Sequence, residues 1–310
     1  MGYEIKVGDV LAKIAEIESG TVDTCVTSPP YWGLRDYNND GQIGLEQDPN
    51  EYVAKMVEVF REVKRVLKDE GTLWLNIGDS YSGSGKGPAG NLGKKHNERH
   101  LEHKTGGIVP EGTKPKDLVG IPWMLAFALR ADGWYLRQDI IWAKPNPMPE
   151  SVKDRCTKSH EYVFLLSKSP KYYFDSEAMK EDGVIPAGTK GAKGSAERQG
   201  IPGVNARPPV YKVYDGKRNK RDVWFVKTKP FPGAHFAVMP EELVEPCVLA
   251  GSPVGGLVLD PFAGSGTVGV VSLRHERNFV GIELNPDYAE IARERIGVKD
   301  DGFSYMSPRL

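Results

Sequence analysis

Short apolar runs alternate along the chain with segments in which apolar residues recur every three or four positions. Buried strands are predicted at 3–7, 22–26, 72–77, 134–142, 161–167, 256–260 and 278–283. Helices are predicted at 10–17, 49–70, 117–131, 240–250, 268–274 and 286–296. Strands that alternate with helices in this way indicate an α/β fold built on a doubly wound, mostly parallel sheet.

Residues 180–230 interrupt this pattern because they lack long hydrophobic periodicity. We therefore predict an inserted lobe there, between a first part at 1–179, with a flexible basic loop at 82–116, and a second part of the same domain at 231–310. The chain carries a net charge of −1, but residues 187–229 hold eleven Lys or Arg against three acids. Residues 86–116 hold seven against three. Two basic segments around a more acidic body favour contact with phosphates.

Composition excludes several classes of protein. The 310 residues contain neither a signal-peptide core nor an apolar run long enough to span a membrane. Three widely spaced cysteines fit neither a disulfide framework nor a zinc pattern, which favours a reducing cytoplasm. His96, His100 and His103 would share a helix face, but their spacing matches no zinc motif, so no metal is predicted.

A rigid turn follows the second predicted strand. Pro29 and Pro30 end that strand, because proline lacks the N–H that a sheet requires and fixes the backbone φ. The turn aims the Ser28 hydroxyl and free carbonyls at one point, over which Tyr31 and Trp32 offer flat faces. Two acceptors beside an aromatic plate suit a planar heterocycle with an exocyclic amino group. Taken alone, such a turn is more often a structural bend around a buried tyrosine.

A glycine-rich turn follows the predicted strand at 256–260. Its glycines at 264, 266 and 269 match G-x-G-x-x-G, and Glu283 follows on the next strand, so an NAD-binding oxidoreductase is an alternative. Asp260, however, precedes the first glycine. A carboxylate there would repel a pyrophosphate and attract the sulfonium of S-adenosylmethionine. Asp260 therefore favours a methyl donor, and Glu283 would bind a ribose in either case.

The two turns together resemble the paired motifs of the exocyclic-amino DNA methyltransferases, which modify N4 of cytosine or N6 of adenine. The motifs are Ser28-Pro29-Pro30-Tyr31 and Asp260-Pro261-Phe262-Ala263-Gly264-Ser265-Gly266-Thr267. The catalytic motif precedes the cofactor motif, with the basic lobe between them, as in the β group of that family. The resemblance implies a Rossmann-like methyltransferase in permuted order. Joining 278–296 to 3–7 would restore the usual strand sequence, and neighbouring termini permit such a permutation.

The resemblance also implies roles for individual residues. Cofactor binding is implied for Asp9, His235, Pro240, Asp260, Phe262, Ala263, Gly264, Gly266, Thr267, Glu283 and Asn285. Catalysis is implied for Ser28, Pro29, Pro30 and Tyr31, and contact with the target base for Trp142, Lys144 and Asn146. Residues 180–230 occupy the position of the target-recognition region.

The chemistry of an exocyclic amine sets what these residues must do. The amino nitrogen shares its lone pair with the ring, so it becomes nucleophilic only when both hydrogens are held, here by Ser28 Oγ and the Pro29 carbonyl. Tyr31 and Trp32 would stack on a base that has been flipped from the duplex at a cost of a few kcal/mol. Asn76 or Asp79 would assist proton removal, or else cap the strand end.

Cytosine N4 is the predicted target, since in this family serine at the first motif position usually accompanies N4-cytosine activity. The alternatives are an N6-adenine methyltransferase, an RNA methyltransferase and a non-catalytic DNA-binding protein. Cytosine C5 chemistry is rejected, because Cys247 lies in an apolar helix typical of an inert core thiol.

The expected partner is double-stranded DNA. The resemblance adds a cognate restriction endonuclease as a candidate second partner. We expect a monomer or homodimer in a prokaryotic or phage-infected cytoplasm, without a membrane partner.

Overall fold

The computed structural model describes residues 1–33, 41–83, 108–192, 211–229 and 238–297, and only the backbone of 190–192, 211 and 212. The chain divides into two compact units. The larger is formed by Met1–Asp175 together with the chain from Asp222 onward, and the smaller is Ser176–Arg221. The predicted histidine cluster at 96–103 lies outside the described residues.

The larger unit contains one sheet to which eight described strands belong. In chain order its strands and those of the smaller unit are β1 Tyr3–Val7, β2 Val22–Thr27, β3 Leu67–Ile77, β4 Tyr135–Ala143, β5 His160–Ser167, β6 Lys180–Asp182, β7 Lys190–Ala192, β8 Tyr211–Val213, β9 Lys217–Asn219, β10 Val223–Phe225, β11 Leu257–Asp260 and β12 Asn278–Glu283. The sheet has the order β1-β12-β11-β2-β3-β5-β4-β10. Only β5 runs antiparallel to its neighbours, β3 and β4. The sheet is therefore mostly parallel, as the sequence predicted.

The helices of the larger unit are α1 Val10–Ile14, α2 Pro49–Val66, α3 Ile121–Ala131, α4 Glu241–Gly251, α5 Thr267–Arg274 and α6 Pro286–Gly297. Alternation of these helices with parallel strands gives the doubly wound arrangement. Among the described helices, none combines the length and the apolar character that a membrane crossing requires.

The helix α2 supplies the largest apolar face of the core. Asp48 caps its first turn by accepting a hydrogen bond from the Asn50 N–H, with proline at the first helical position. Tyr52, Met56 and Phe60 are fully buried on its inner face. Burying such side chains stabilises the fold by about 1.5–3 kcal/mol each. The predicted helix after Asp48 is therefore confirmed.

Two predicted helices end earlier than the hydrophobic pattern suggested. Helix α1 stops at Ile14 rather than residue 17, because the Arg65 guanidinium donates to the carbonyls of Ile14 and Ile17, both at 2.9 Å. Helix α2 stops at Val66 rather than just before Gly71 because Leu67 is extended and pairs with Val22 in the sheet. Contacts with distant parts of the chain set the ends of both helices, and the local sequence does not indicate those contacts.

The order of the strands brings the polar residues to one edge of the sheet. The carboxyl ends of β1, β12, β11, β2, β3 and β4 share an edge with the amino end of β5, since only β5 is reversed. We call this the polar edge. Ligands of doubly wound sheets bind at such an edge.

The smaller unit contains two short antiparallel pairs, β6 with β9 and β7 with β8. Several of its basic side chains are ion-paired within the unit: Arg218 and Arg221 both contact Glu181, at 2.9 and 2.8 Å. The predicted lobe at 180–230 also included β10, which instead pairs with β4 in the main sheet.

We predict that Gly269→Ala destabilises the fold, although alanine normally stabilises a helix interior relative to glycine. A Cβ at Gly269 would lie 2.4 Å from Ile296 Cδ1 and 2.7 Å from Phe279 Cδ1, beneath helix α5. Overpacking of this kind costs about 1–3 kcal/mol. Thermal and urea unfolding would measure the change in the free energy of unfolding.

The matched control is Ile296→Val, which removes the Cδ1 atom that the new methyl group would strike. We expect the double variant to lose less stability than the sum of the single changes, because neighbouring substitutions couple. A Gly269→Ala protein as stable as the parent chain would show that the packing here is loose.

Candidate functional site

A buried carboxylate at the end of β11 touches the end of β2. Asp260 is 2% exposed, and its Oδ1 accepts hydrogen bonds from Thr27 Oγ1 at 2.7 Å and from the Phe262 N–H at 3.0 Å. Thr27 is the last residue of β2 and immediately precedes Ser28. The glycine-rich turn and the proline-rich turn, 233 residues apart in sequence, are thus joined by one hydrogen bond.

Burial governs the ionisation of the two carboxyls at this part of the polar edge. Burial raises the pKa of Asp260 to about 7, against the lowering effect of its bonds from Thr27 and Phe262 and with a further increase from Glu283. Burial likewise raises the pKa of Glu283, opposed by hydrogen bonds from the backbone around it. A cation bound beside these carboxyls would favour their charged forms and so oppose this effect of burial.

Glu283, at the end of β12, organises the glycine-rich turn. Its Oε2 accepts from the Gly264 N–H at 2.8 Å and its Oε1 from the Asn285 N–H at 2.9 Å. Gly264 has a φ of 53° and Gly266 a φ of 79°, in the left-handed region where glycine is unstrained. The turn therefore holds its backbone close to the carboxyl groups of Asp260 and Glu283.

The remaining predicted cofactor residues that the structure describes lie at the ends of several elements. Asp9 follows β1 and caps helix α1 through the Ala12 N–H at 3.0 Å, next to the end of β12. Ala263 donates its N–H to the Ile282 carbonyl, and Thr267 opens helix α5. Pro240 is buried at the start of α4. His235 lies outside the described residues.

Arg295 is a residue of this turn that the sequence did not reveal. From helix α6 it donates to the Ser265 carbonyl at 2.6 Å, to Ser265 Oγ at 2.8 Å and to Thr267 Oγ1 at 3.3 Å. It therefore holds the second half of the turn, whereas Glu283 holds Gly264. An arginine in a helix near the chain end carries no local signal of such a role.

The proline-rich turn is held from two sides. Tyr52 Oη, from helix α2, donates to the Pro30 carbonyl at 2.9 Å, and Ser80 Oγ donates to the Trp32 carbonyl at 3.0 Å. Within the described part of the chain, no hydrogen bond reaches the Pro29 carbonyl. Ser28 and Pro29 are thereby fixed at the polar edge beside Thr27.

Trp32 corrects one prediction. Its side chain is 3% exposed, packs in the core and donates its indole N–H to the Glu46 carbonyl at 2.9 Å. A ring buried in this way cannot stack on a base. The prediction of an open aromatic face at Trp32 was therefore wrong, because the turn directs this side chain inward against the core.

Tyr31 stands at the centre of a polar cluster. Its Oη donates to Glu161 Oε2 at 2.8 Å, lies 3.3 Å from Asn76 Oδ1, and receives a hydrogen bond from Ser28 Oγ at 3.4 Å. Burial, followed by the charge of Glu161, raises the pKa of Tyr31 well above its usual range. The ring also packs against Gly78, where a Cβ would lie 2.8 Å from Tyr31 Cε2. The tyrosine is therefore held in one position as a neutral hydroxyl.

Glu161 is the functional candidate that sequence reasoning missed. It lies near the amino end of β5, and its carboxylate contacts Tyr31, Asn76 Nδ2 and Lys144 Nζ. The search for polar residues at the carboxyl ends of strands overlooked it, because β5 is the one reversed strand among its neighbours. A charged residue near the start of the apolar run 160–167 was the available signal.

The three residues of the Trp142 segment have different surroundings. Trp142 is 4% exposed and donates its indole N–H to the Val226 carbonyl, just after the neighbouring strand β10, so the prediction that its side chain contacts the base is wrong. Lys144 lies 4.2 Å from the centre of the Trp142 ring and pairs with Glu161. Asn146 exchanges side-chain hydrogen bonds with the backbone of Thr228, at 3.0 Å in both directions.

Asn76 lies near the end of β3 and Asp79 follows that strand, and the two differ in their contacts. Asn76 donates to Glu161 and to the Tyr162 carbonyl, so it lies within the polar cluster. Asp79 Oδ1 accepts from the backbone N–H groups of Ser80, Gly120 and Ile121, and so caps the start of helix α3. This is the capping alternative considered for Asp79, and its part in proton removal stays a prediction.

Neither a metal cluster nor a reactive thiol stands out in the described ranges. No group of three or more His, Cys, Asp or Glu side chains is arranged there to hold a metal ion. Cys247 is buried in helix α4, and its Sγ donates to the Leu243 carbonyl at 3.4 Å. Cys25 is also buried, and burial raises the pKa of its thiol.

Comparison with known proteins places this geometry in context. The model of the N6/N4 methyltransferase family, described as DNA methylase, matches residues 22–294. Type II methyltransferase M.SmaI of Serratia marcescens is 50% identical over 293 residues, covering 94% of this chain and 90% of that protein. Type II methyltransferase M.Cfr9I of Citrobacter freundii is also 50% identical, covering 94% and 87%.

Solved structures share the fold at lower identity. PvuII DNA methyltransferase, described as cytosine-N4-specific, superposes with a TM-score of 0.65 at 18% identity, covering 97% of this chain and 88% of that one. TTHA0409 of Thermus thermophilus, a DNA modification methylase solved with S-adenosyl-L-methionine, gives a TM-score of 0.62 at 24% identity, covering 97% and 96%. Both are Rossmann-like methyltransferase folds, which confirms the predicted fold class.

The raised pKa of Asp260 predicts how stability depends on pH. The unfolded carboxyl releases its proton near pH 3.8, whereas the folded one keeps it until about pH 7. The folded state therefore holds more protons between these values, so the free energy of unfolding should fall as pH rises, by up to about 4 kcal/mol. Glu283 adds a smaller change of the same sign.

Asp260→Asn tests this prediction through urea unfolding at pH 5 and pH 8. The amide keeps an acceptor for Thr27 but carries no charge, so the variant should be more stable than the parent at pH 8 and much less sensitive to pH. Asp48→Asn, at an exposed helix cap, is the matched control and should leave the slope unchanged. A parent protein whose stability does not fall over this range would contradict the raised pKa.

Proposed function

The chain belongs to the N6/N4 DNA methylase family, and on that premise we propose that it transfers a methyl group from S-adenosylmethionine to N4 of a cytosine flipped out of duplex DNA. The observation that carries the proposal is the hydrogen bond from Thr27 to Asp260. It holds the candidate methyl-donor turn beside Ser28, the candidate acceptor of the amine. Donor and acceptor sites must adjoin for a direct transfer.

The cofactor side of the site fits S-adenosylmethionine by its chemistry. The carboxylate oxygens of Glu283 would accept hydrogen bonds from ribose hydroxyls, in place of those that they accept from the backbone N–H groups of Gly264 and Asn285. Asp260 supplies negative charge for a cationic ligand once its proton is released. The bound cofactor would supply an activated methyl group. The chain itself orients that group and excludes water from it.

The substrate side consists of the two acceptors predicted for the amine. Ser28 Oγ and the Pro29 carbonyl would each accept one N–H of the exocyclic amino group, which frees the nitrogen lone pair for attack. Tyr31 would contact the base through its ring, whose position is fixed by Gly78 behind it and by Glu161 at its hydroxyl. Lys144 and Asn146 remain the proposed contacts at the far side of the base.

Cytosine is the proposed base because a neutral hydroxyl, Ser28, occupies the first position of the catalytic motif. A structural neighbour of the same fold is described as cytosine-N4-specific, in agreement with this choice. The alternative is N6 of adenine, since the matching family includes both activities. The two amines present the same pair of donors, so the site chemistry supports transfer to either.

We assign target recognition to the lobe at 180–230, most of which forms the smaller unit. Because Arg218 and Arg221 are paired with Glu181, other basic side chains of this lobe would carry most of the phosphate contact. A restriction endonuclease of the same sequence specificity is the proposed functional counterpart, since the relatives are type II methyltransferases. The proposed location is the prokaryotic cytoplasm, where the DNA substrate is found.

Methyl transfer from labelled S-adenosylmethionine to mixed-sequence duplex DNA tests the proposal. Nucleoside mass analysis should find N4-methylcytosine, and Ser28→Ala should reduce its formation by about 100-fold or more, as the loss of one key hydrogen bond in a transition state does. Ser19→Ala, at an exposed position, is the matched control and should retain full activity.

Each other product identifies the part of the proposal that fails. N6-methyladenine would overturn the base and leave the reaction class in place. Label in RNA but not DNA would overturn the substrate. A Ser28→Ala protein with full activity would remove Ser28 from the site.

Binding of the methyl donor should depend on the charge of Asp260. With a pKa of about 7, the ionised fraction of Asp260 rises about tenfold from pH 6 to pH 8, and we expect affinity for S-adenosylmethionine to rise in proportion. S-adenosylhomocysteine, which lacks the sulfonium charge, is the matched ligand and should bind with little change. Calorimetric titration of both ligands, with Asp260→Asn alongside, measures this. Equal pH dependence for the two ligands would contradict the role of Asp260.

A further inference from the structure

Glu161 has an unusual position for a carboxylate. It stands near the start of β5, a strand whose later residues Val163, Phe164, Leu165 and Leu166 are buried apolar side chains, and its own side chain is 17% exposed. Its Oε2 receives hydrogen bonds from Tyr31 Oη at 2.8 Å and from Asn76 Nδ2 at 3.3 Å. Nothing in the cofactor or amine contacts described above uses this carboxylate.

The distances in this cluster favour one orientation of its donors. The single hydroxyl proton of Tyr31 has two acceptors, Glu161 Oε2 at 2.8 Å and Asn76 Oδ1 at 3.3 Å, and the shorter contact to a carboxylate directs it to Glu161. Tyr31 Oη is then an acceptor for Ser28, whose own proton is directed to it across 3.4 Å. Ser28 Oγ is left with lone pairs facing the polar edge. The three residues thus form a directed chain, Ser28 to Tyr31 to Glu161.

We propose that Glu161 is the terminal proton acceptor of this chain and positions Ser28, through Tyr31, as an acceptor for the amino group. The inference rests on the proposed function, since it concerns the proton released in amino methylation. Glu161 touches neither base nor cofactor in this arrangement, so it is a positioning residue that acts through Tyr31 and Ser28.

The proton balance of the reaction requires such an acceptor. Formation of the new N–C bond and cleavage of the S–C bond of the donor leave the amino nitrogen with one positive charge and one surplus proton. That proton passes to Ser28 Oγ as the Ser28 proton passes to Tyr31 Oη and the Tyr31 proton to Glu161 Oε2. The products are a neutral methylated base, unchanged hydroxyls on Ser28 and Tyr31, and a protonated Glu161, which exchanges with water between turnovers.

Two lysines, Lys144 and Lys158, interact with the Glu161 carboxylate. Lys144 pairs with Oε1, the oxygen that Tyr31 does not contact, so Oε2 is left to accept from Tyr31. Lys158, from the loop before β5, interacts with both Glu161 and Asp79, and burial lowers the pKa of its ammonium. Tyr31 faces it from the proline-rich turn, and Asn76 from β3 adds an uncharged donor.

Neither of the other polar groups predicted to remove the proton suits that task as well. Asn76 carries an amide, which has no basic site at neutral pH. Asp79 already accepts three backbone N–H bonds through Oδ1 at the start of helix α3. Glu161 is the carboxylate that Tyr31 contacts directly within the described part of the chain.

Single-turnover methylation by Glu161→Gln is the test. Glutamine keeps an oxygen that accepts the Tyr31 hydrogen bond but cannot take the proton, so the rate should fall about 100-fold or more, the usual contribution of general base catalysis. Tyr31→Phe should cause a similar loss, and the double variant should be no slower than the slower single variant, because both changes break one chain. Glu161→Asp should recover part of the rate.

The pH profile separates this role from a purely structural one. The pH–rate profile of the parent should have an acid limb that the profile of Glu161→Gln lacks, because glutamine has no carboxylate to take up a proton. Glu62→Gln, which changes an ion-paired glutamate on α2 away from the polar edge, is the matched control and should behave as the parent. Melting temperature and S-adenosylmethionine affinity, measured for every variant, identify any loss of folding or cofactor binding.

Two results would overturn the inference: a Glu161→Gln rate within about threefold of the parent, or losses that multiply in the double variant. If the parent enzyme yields N6-methyladenine, the proposed base fails but the relay is tested on that product. A parent enzyme that methylates no amino group would overturn both the proposed function and the relay.

Discussion

The buried hydrogen bond between Thr27 and Asp260 is the contact on which the site depends. Strands β2 and β11 are neighbours, with Cys25 opposite Leu259, so the ends of these strands must lie together. A carboxylate buried at such a point needs a partner, because an unpaired buried acceptor costs about 1–3 kcal/mol. Thr27 supplies one and in doing so fixes the residue that follows it. The same hydrogen bond therefore affects both the ionisation of Asp260 and the position of Ser28.

Much of this could be predicted from the sequence, where local chemistry determined the outcome. Helix α2 followed from an acidic cap, a first-turn proline and a helical apolar face. The carboxyl ends of parallel strands share an edge whatever their order in the chain, so the sequence alone predicts one site for Asp260, Glu283 and Ser28. Motif order then gave the permutation, seen in the pairing of β1 with β12.

The parts that could not be predicted depend on contacts between distant elements. Reversal of β5 brings its amino end, with Glu161, to the polar edge, and no local pattern reports the direction of a strand. Trp32 was predicted to offer an open face and Trp142 to contact the target base, but neighbouring elements bury both side chains. Arg295 and Gly78 act through tertiary packing alone, one as a brace and one as space for the Tyr31 ring.

The pairing of the first strand with the last has a consequence for synthesis on the ribosome. Strand β1 is synthesised before its partner β12, which begins at Asn278. At about 5–20 residues per second, β1 therefore lacks this partner for on the order of tens of seconds. Glu283 and Arg295 are translated after both turns, so the contacts that hold the glycine-rich turn form late. A nascent chain can therefore assemble the proline-rich turn before the glycine-rich turn is held in place.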